Sequence, residues 1–288
     1  MSQNTLKAFH RLFDCVIDEF NEDYNVSNRV NQVGDALEKF VKDLYANSVG
    51  IGDARELHQR TFSYLGNSHN PPDAILKNSD AIEIKKIESP ASAIALNSSH
   101  PKDYFYRDDP LITRACANSE SSEWVKKDML YVIGFIQQRT LKGLWFVYGD
   151  CYAADREVYK RIKDRMTGGI ESLNLPLEST NEIAKVNGVD PLGITNLRVR
   201  GMWTIAHPSK VFSGLNLITT GCDFFAHLIM TKDKYDSFPS DDRALIEQDI
   251  SQQNLPDVSM TKRNVEIYNP NNLARNINAV VVSLIKWI

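Results

Sequence analysis

Two apolar runs, "MLYVIGFI" (129–136) and "GLWFVYG" (143–149), flank the polar "QQRTLK", and they limit the fold more than any other part of the chain. Both are of strand length and rich in β-branched and aromatic residues, and the short polar gap between them reads as a hairpin. Further strand-like pieces follow at "LRVRGMW", "FFAHLIM" and "NAVVVSLIKWI", with turn-rich stretches between them. The last of these reads as a sheet strand rather than an interface segment. The first 60 residues are helical in pattern instead. In "VGDALEKFVKDLY", Val33, Leu37, Phe40, Val41 and Leu44 fall on one stripe at helical spacing, with Glu38 at its edge. Residues 154–166, "ADREVYKRIKDRM", look helical and basic. Helices first, then a sheet with helices interspersed, predict an α/β chain with a central mixed β-sheet flanked by helices.

At 288 residues, 42% hydrophobic and 24% charged, the chain has enough apolar material for a sizeable core, and disorder is excluded. No internal repeat or Pro/Gly/Ser-rich linker divides it, so a single domain over 1–288 is expected. The four cysteines, Cys15, Cys116, Cys151 and Cys222, are too far apart in sequence for a zinc knuckle or a CxxC pair. A reducing cytoplasm fits them. No apolar run is long enough for a bilayer, and the start carries charges where a signal peptide would be apolar. The net charge of −4 argues against a nucleic-acid partner. It does not exclude one, because an acidic chain can line a single cleft with basic groups.

The stretch "NPPDAILKNSDAIEIKK" (70–86) places Asp73 ten residues ahead of Glu83, with Lys85 two further on. A strand's period of two puts Ile82 and Ile84 on one face and Glu83 and Lys85 on the other, making the strand half-buried. One reading is an ordinary amphipathic hairpin with a wet face. The other is a magnesium site for phosphodiester hydrolysis, since a hard cation stabilises the charge of a pentacovalent phosphate and needs only one or two carboxylates as anchors. Asp73 and Glu83 would then be the anchors, with the Ile84 carbonyl as an additional ligand. Lys85 would orient or help deprotonate the attacking water. Asp80, at the strand's entrance, is the less suitable carboxylate and is expected to serve the turn.

The residues that decide between these readings lie around the stretch. "FSYLGNSHNPPDAILKNSDAIEIKKIESPASAIALNSSHPK" (62–102), with "SNRVNQVGDALEKFVKDL" (27–44) upstream and "DPLGITNLRVRGMW" (190–203) downstream, resembles the NgoPII-type restriction endonucleases of the PD-(D/E)xK nuclease superfamily. The Pro-Asp and Glu-x-Lys pattern is shared by many nucleases, whereas the "IESPASAIALNSSHPK" and "DPLGITNLRVRGMW" blocks are far more specific. The resemblance implies a restriction-endonuclease-like fold and a homodimeric type II enzyme that uses Mg2+ to cut double-stranded DNA at a short palindrome, GGCC-like. It also implies a bacterial or archaeal cytoplasmic setting. It makes Asp73 and Glu83 metal ligands and Lys85 the catalytic lysine. Glu38 is either a further metal ligand or a solvated glutamate paired with Lys42. Residues 1–60 would form a helical N-terminal part, 62–150 the catalytic core, and 151–288 a helix with the DNA-recognition and C-terminal strands.

Two segments are expected to meet DNA. Asn97, Ser98, Ser99, His100 and Lys102 leave the catalytic strand; otherwise they form a capped turn and the start of a helix. Arg198 and Arg200 alternate with Leu197 and Val199, so a strand would aim both guanidiniums at one side, a match for guanine O6 and N7. Their competing roles are salt bridges or phosphate contacts alone. Trp203 is expected in a core or interface, His207 in a loop, and the basic helix with Arg156, Lys160 and Lys163 on a solvated surface, with phosphate tracking as its alternative role outside the expected site. Two other functions compete with the restriction enzyme: a structure-selective or repair nuclease, and a DNA-binding protein whose site has decayed.

Overall fold

The computed structural model describes residues 2–15, 30–67, 70–173, 177–178, 183–252 and 257–287. Positions 16–29 of the expected helical part, and the side chain of Val33, lie outside the described residues. Helices α1 (Thr5–Asp14), α2 (Val30–Ala46) and α3 (Arg55–Thr61) come first. The Asn4 side chain starts α1 by accepting from Lys7 N at 3.1 Å, which satisfies one of the donors a helix leaves open at its start. Leu37, Phe40, Val41 and Leu44 of α2 are all buried, as the stripe requires.

Among the described residues the main sheet has nine strands. Strands β1 (Phe62–Asn67), β2 (Asn70–Leu76) and β3 (Ala81–Ile87) are followed by β4 (Ile94–Asn97), which belongs elsewhere, and β5 (Tyr104–Tyr106). A short helix α4 (Arg114–Ala117) leads to β6 (Lys126–Gln137) and β7 (Thr140–Tyr148). After α5 (Arg156–Glu171) come four short strands, β8 (Leu177–Glu178), β9 (Ala184–Val186), β10 (Leu197–Val199) and β11 (Trp203–Ile205). The chain then runs through α6 (Pro208–Val211), β12 (Phe224–Thr231), α7 (Lys232–Ser237) and α8 (Ser240–Ser251) to the hairpin β13 (Val258–Asn269) and β14 (Asn272–Lys286).

The spatial order is β1-β2-β3-β6-β7-β12-β14-β13, with β5 alongside β6. The β3/β6 and β7/β12 pairs are parallel and the other pairs antiparallel, so the sheet is mixed. The β6/β7 hairpin turns at Gln138 and Arg139, both at positive φ (50° and 66°), the pairing a right-twisted two-residue hairpin demands.

The apolar runs are continuous because this sheet is covered on both faces. On one face Leu130, Val132, Leu144, Phe146, Leu228 and Val282 pack in a core with α1 and α2. On the other, Met129, Tyr131, Ile133, Trp145, Val147 and Ile229 pack with Phe105, Ile94 and Leu96. The wet face of the amphipathic-hairpin reading is absent at Glu83: Ile82 and Ile84 join the first core, Ala81 and Ile87 the second, and Glu83 between them is buried.

Asp80 also departs from expectation. Its backbone carbonyl serves the turn by accepting from Leu76 N at 3.0 Å. Its side chain, in a residue 1% exposed, instead joins a network. Lys234 of α7 pairs with Asp80 Oδ1 at 2.7 Å and with Asp128 of β6 at 2.6 Å. The Tyr148 hydroxyl at the end of β7 donates to Asp80 Oδ2 at 2.6 Å, and Thr5 of α1 lies 3.4 Å from the same oxygen. Asp80→Ala would leave the Lys234 ammonium with Asp128 alone and take the carboxylate from the buried Tyr148 hydroxyl, an expected loss of about 1–3 kcal/mol. Denaturant titration checks this as a lower midpoint at unchanged slope. Arg55→Ala, at an exposed ion pair, is expected to shift the midpoint hardly at all.

Candidate active site

Side-chain parity places the three chemistry-bearing residues together. Ile75 of β2 lies in the second core, so Asp73, two residues earlier, points to that face. Glu83 and Lys85 alternate with Ile82 and Ile84 and point the same way. The β2/β3 pairing ends at Ile82, and beyond it the Asp73 carboxylate takes the place of a strand partner: Oδ2 accepts from Ile84 N at 2.6 Å. A strand residue's N–H and C=O lie on one edge, so the Ile84 carbonyl also opens toward Asp73. Gly66 of β1 makes this approach possible. A Cβ there would lie 2.3 Å from the Pro72 carbonyl oxygen and 2.9 Å from Asp73 Cα.

Electrostatics set this trio apart from an ordinary ion pair. Lys85 Nζ meets Glu83 Oε1 at 2.6 Å, while Glu83 Oε2 is buried with no hydrogen-bond partner. Burial, and then the neighbouring Glu83 charge, push the Asp73 carboxyl up to about 7. Burial would depress Lys85, but the charges of Glu83, Asp73 and Glu38 outweigh it, and its pKa is raised. Lys85 is thus an ammonium at neutral pH. Two carboxylates crowd together and one oxygen is left unmet, which is a donor set for a hard cation. Among the described residues, no three His, Cys, Asp or Glu side chains are grouped to hold a metal ion. Glu38, on α2, the helix over the Ile82/Ile84 face, has its carboxylate bound by Lys42, and its charge also acts on Asp73 and Lys85.

The expected DNA-contacting segments meet in space although about a hundred residues separate them. β4 pairs with β11 in a two-stranded sheet, with Asn97 opposite Trp203 and Ile94 opposite Ile205. "LRVRGMW" is therefore not one strand. Its first part, β10, pairs with β9, and the chain then crosses at 200–202 to β4. No helix starts after β4; Ser99 N donates to the Leu96 carbonyl at 3.1 Å in a turn, with Asn97 at φ 52°. Beside these strands lies a cleft of about 1010 Å³, whose walls include Ser98, His100, Lys102, Arg198, Arg200 and Trp203. Asn97 and Ser99 are not part of its lining.

The individual side chains differ in what they offer. Arg198 and Arg200 are exposed at the cleft, but Leu197 is also 51% exposed, so β10 has no buried side. Lys102 is 3% exposed and bound to Asp109, which neutralises its charge. His100 stacks on Tyr159 with centroids 5.3 Å apart, and burial, with Lys102 nearby, lowers its pKa to about 4, leaving it neutral. Trp203 is half-buried edge-on to Tyr159 at 5.5 Å. His207 caps α6, its Nδ1 accepting from Ser209 N at 3.0 Å.

One link between the cleft and the trio had no sequence signal. Tyr131 stands opposite Glu83 in the parallel β3/β6 register, and its buried hydroxyl accepts from Lys102 N at 2.7 Å. Gly149 lets that segment close in, since a Cβ there would meet the Lys102 carbonyl oxygen at 2.3 Å.

Comparison with known proteins supplies the relatives. The family model described as NgoPII restriction endonuclease matches residues 3–266. The chain is 44% identical over 261 residues to a protein of Neisseria gonorrhoeae named type II restriction enzyme NgoPII, covering 89% of this chain and 90% of that one. No solved structure matches.

The raised Asp73 pKa has a signed consequence for the metal-free protein. A carboxyl with a higher pKa folded than unfolded contributes stability that is complete below its ordinary value of 3.8 and is lost as pH rises through about 7. Asp73→Asn is expected to flatten that decline, read from denaturant midpoints between pH 4 and pH 8. Glu83→Gln removes a neighbouring negative charge and should move the Asp73 midpoint downward in a carbon-13 NMR titration.

Proposed function

The chain belongs to the NgoPII restriction endonuclease family, and from that premise we propose that it cuts double-stranded DNA at a G/C-rich palindrome, GGCC-like, with magnesium held by Asp73 and Glu83. It is a type II restriction enzyme by family, with a mixed α/β fold consistent with the restriction-endonuclease core. The buried Oε2 of Glu83, without a partner beside Asp73, carries the metal assignment. The Ile84 carbonyl, opening on the same edge, would be a third oxygen ligand. Glu38 is left to Lys42 in this reading.

When bound, magnesium would supply the charge that stabilises the pentacovalent phosphate and makes water a better nucleophile. The protein's own groups do the positioning. Asp73 is held by Ile84 N, so its other oxygen is free to turn toward the ion. Lys85, an ammonium, orients the attacking water and the scissile phosphate rather than removing a proton at the outset. In-line attack leaves a 5′-phosphate and a 3′-hydroxyl. Arg198 and Arg200 are placed at the cleft to read guanines, with Ser98 and His100 on the neighbouring segment. A palindrome calls for two sites related by a twofold axis, which a homodimer provides. Among the described residues no helix is long and apolar enough to cross a membrane, and the four cysteines are thiols, which suits cytoplasmic work on DNA.

Digestion of a sequenced plasmid tests this. Discrete fragments ending at one G/C-rich palindrome are expected with magnesium and none with a chelator; absence of cutting on intact duplex would point to a structure-selective nuclease instead. Lys85→Ala should slow cleavage by about 10²–10⁴ while leaving duplex binding largely intact. Full cleavage by that variant would overturn the role given to Lys85.

A further inference from the structure

Helix α5 is sixteen residues long and none of its residues is buried. A helix that buries nothing is not held by the core; it is fixed at points. Arg156 lies 4.1 Å over the Tyr106 ring and pairs with Asp108 at 2.9 Å. Tyr159 packs on His100 and Trp203, one from each DNA-facing segment. Thr167 Oγ1 donates to the Ile183 carbonyl at 3.2 Å. Every one of these anchoring partners lines the cleft, so the helix is mounted on the walls of the cleft.

The face mounted there is cationic. Arg156, Lys160 and Lys163 follow at four- and three-residue steps, which on a helix is a single stripe, and all three line the cleft. Arg156 is paired with Asp108, Lys160 is exposed and Lys163 is half-buried. Around the whole cleft stand six cationic side chains (Lys102, Arg156, Lys160, Lys163, Arg198, Arg200) against four carboxylates (Asp108, Asp109, Glu157, Asp164). In a chain of net charge −4, that local excess of positive charge is complementary to a polyanion.

We infer that α5 is the wall of the cleft that grips DNA by its phosphates, with Lys160 and Lys163 contacting the duplex backbone. This rests on the DNA-cutting reading above and adds a contact that reading does not require. Lys160 and Lys163 hold any sequence alike; Arg198 and Arg200 discriminate. Tyr159 ties the gripping helix to the two reading segments, so they engage DNA as one body.

The test is fluorescence anisotropy of the full chain with two labelled duplexes, one carrying GGCC and one with that site scrambled, in chelator from about 50 to 200 mM salt. The Lys160→Ala/Lys163→Ala variant is expected to flatten the log affinity against log salt slope by about 2, near 0.9 for each phosphate that is no longer neutralised, and equally for both duplexes. Its circular dichroism melt, recorded alongside, separates a change in binding from a change in folding. An unchanged slope, or a loss confined to the GGCC duplex, overturns the inference while the cutting reading stands. Arg198→Ala/Arg200→Ala should instead lose the preference for GGCC. Failure of the wild type to bind either duplex would remove the DNA reading and this inference together.

Discussion

The sheet depends on a carboxylate that has been fully answered. Asp80 enters β3 with an ammonium on one oxygen and a phenol on the other, and through them it ties β3 to β6, β7, α1 and α7. Such a set adds little stability over well-packed apolar side chains, because removing the charges from water costs nearly what their attraction returns. What it adds is placement. With the entrance to β3 located against both neighbouring layers, everything further along the strand is located too.

Three residues on, β3 carries a carboxylate that has not been answered. Glu83 is buried next to Asp73 with one oxygen bare, and the cation beside it, Lys85, meets just the other. The contrast separates structure from chemistry on one strand: a chain bent only on stability would have treated Glu83 as it treated Asp80. The strain of the pair shows in Asp73, whose raised pKa reflects burial and the adjacent charge, and it is relieved by a divalent cation or by a proton.

Much of this was legible in the amino-acid order. The hairpin of β6 and β7, the mixed sheet and the common face of Asp73, Glu83 and Lys85 follow from apolar runs and a period of two. Periodicity was silent where tertiary contact decides. The alternation of "AIEIK" looks the same whether the polar face meets water or a second core, so Glu83 read as wet and is buried. "LRVRGMW" carries no mark of its change of partner from β9 to β4, because pairing is a property of two segments. The stripe of Arg156, Lys160 and Lys163 was visible, but a basic stripe names no neighbour. Tyr131 and Gly66 had no signal at all; each matters through what lies across from it.

The β4/β11 ladder is short, three pairs with an irregularity between Trp203 and Thr204. A sheet's side chains alternate strictly, so sliding one strand by a single residue exchanges the set that faces the cleft for the set that faced away. An insertion or deletion near 200–202 would therefore change whether Trp203 faces the cleft, without touching β3. In the proposed reading, recognition can shift with the alignment between two strands while β3 stays fixed.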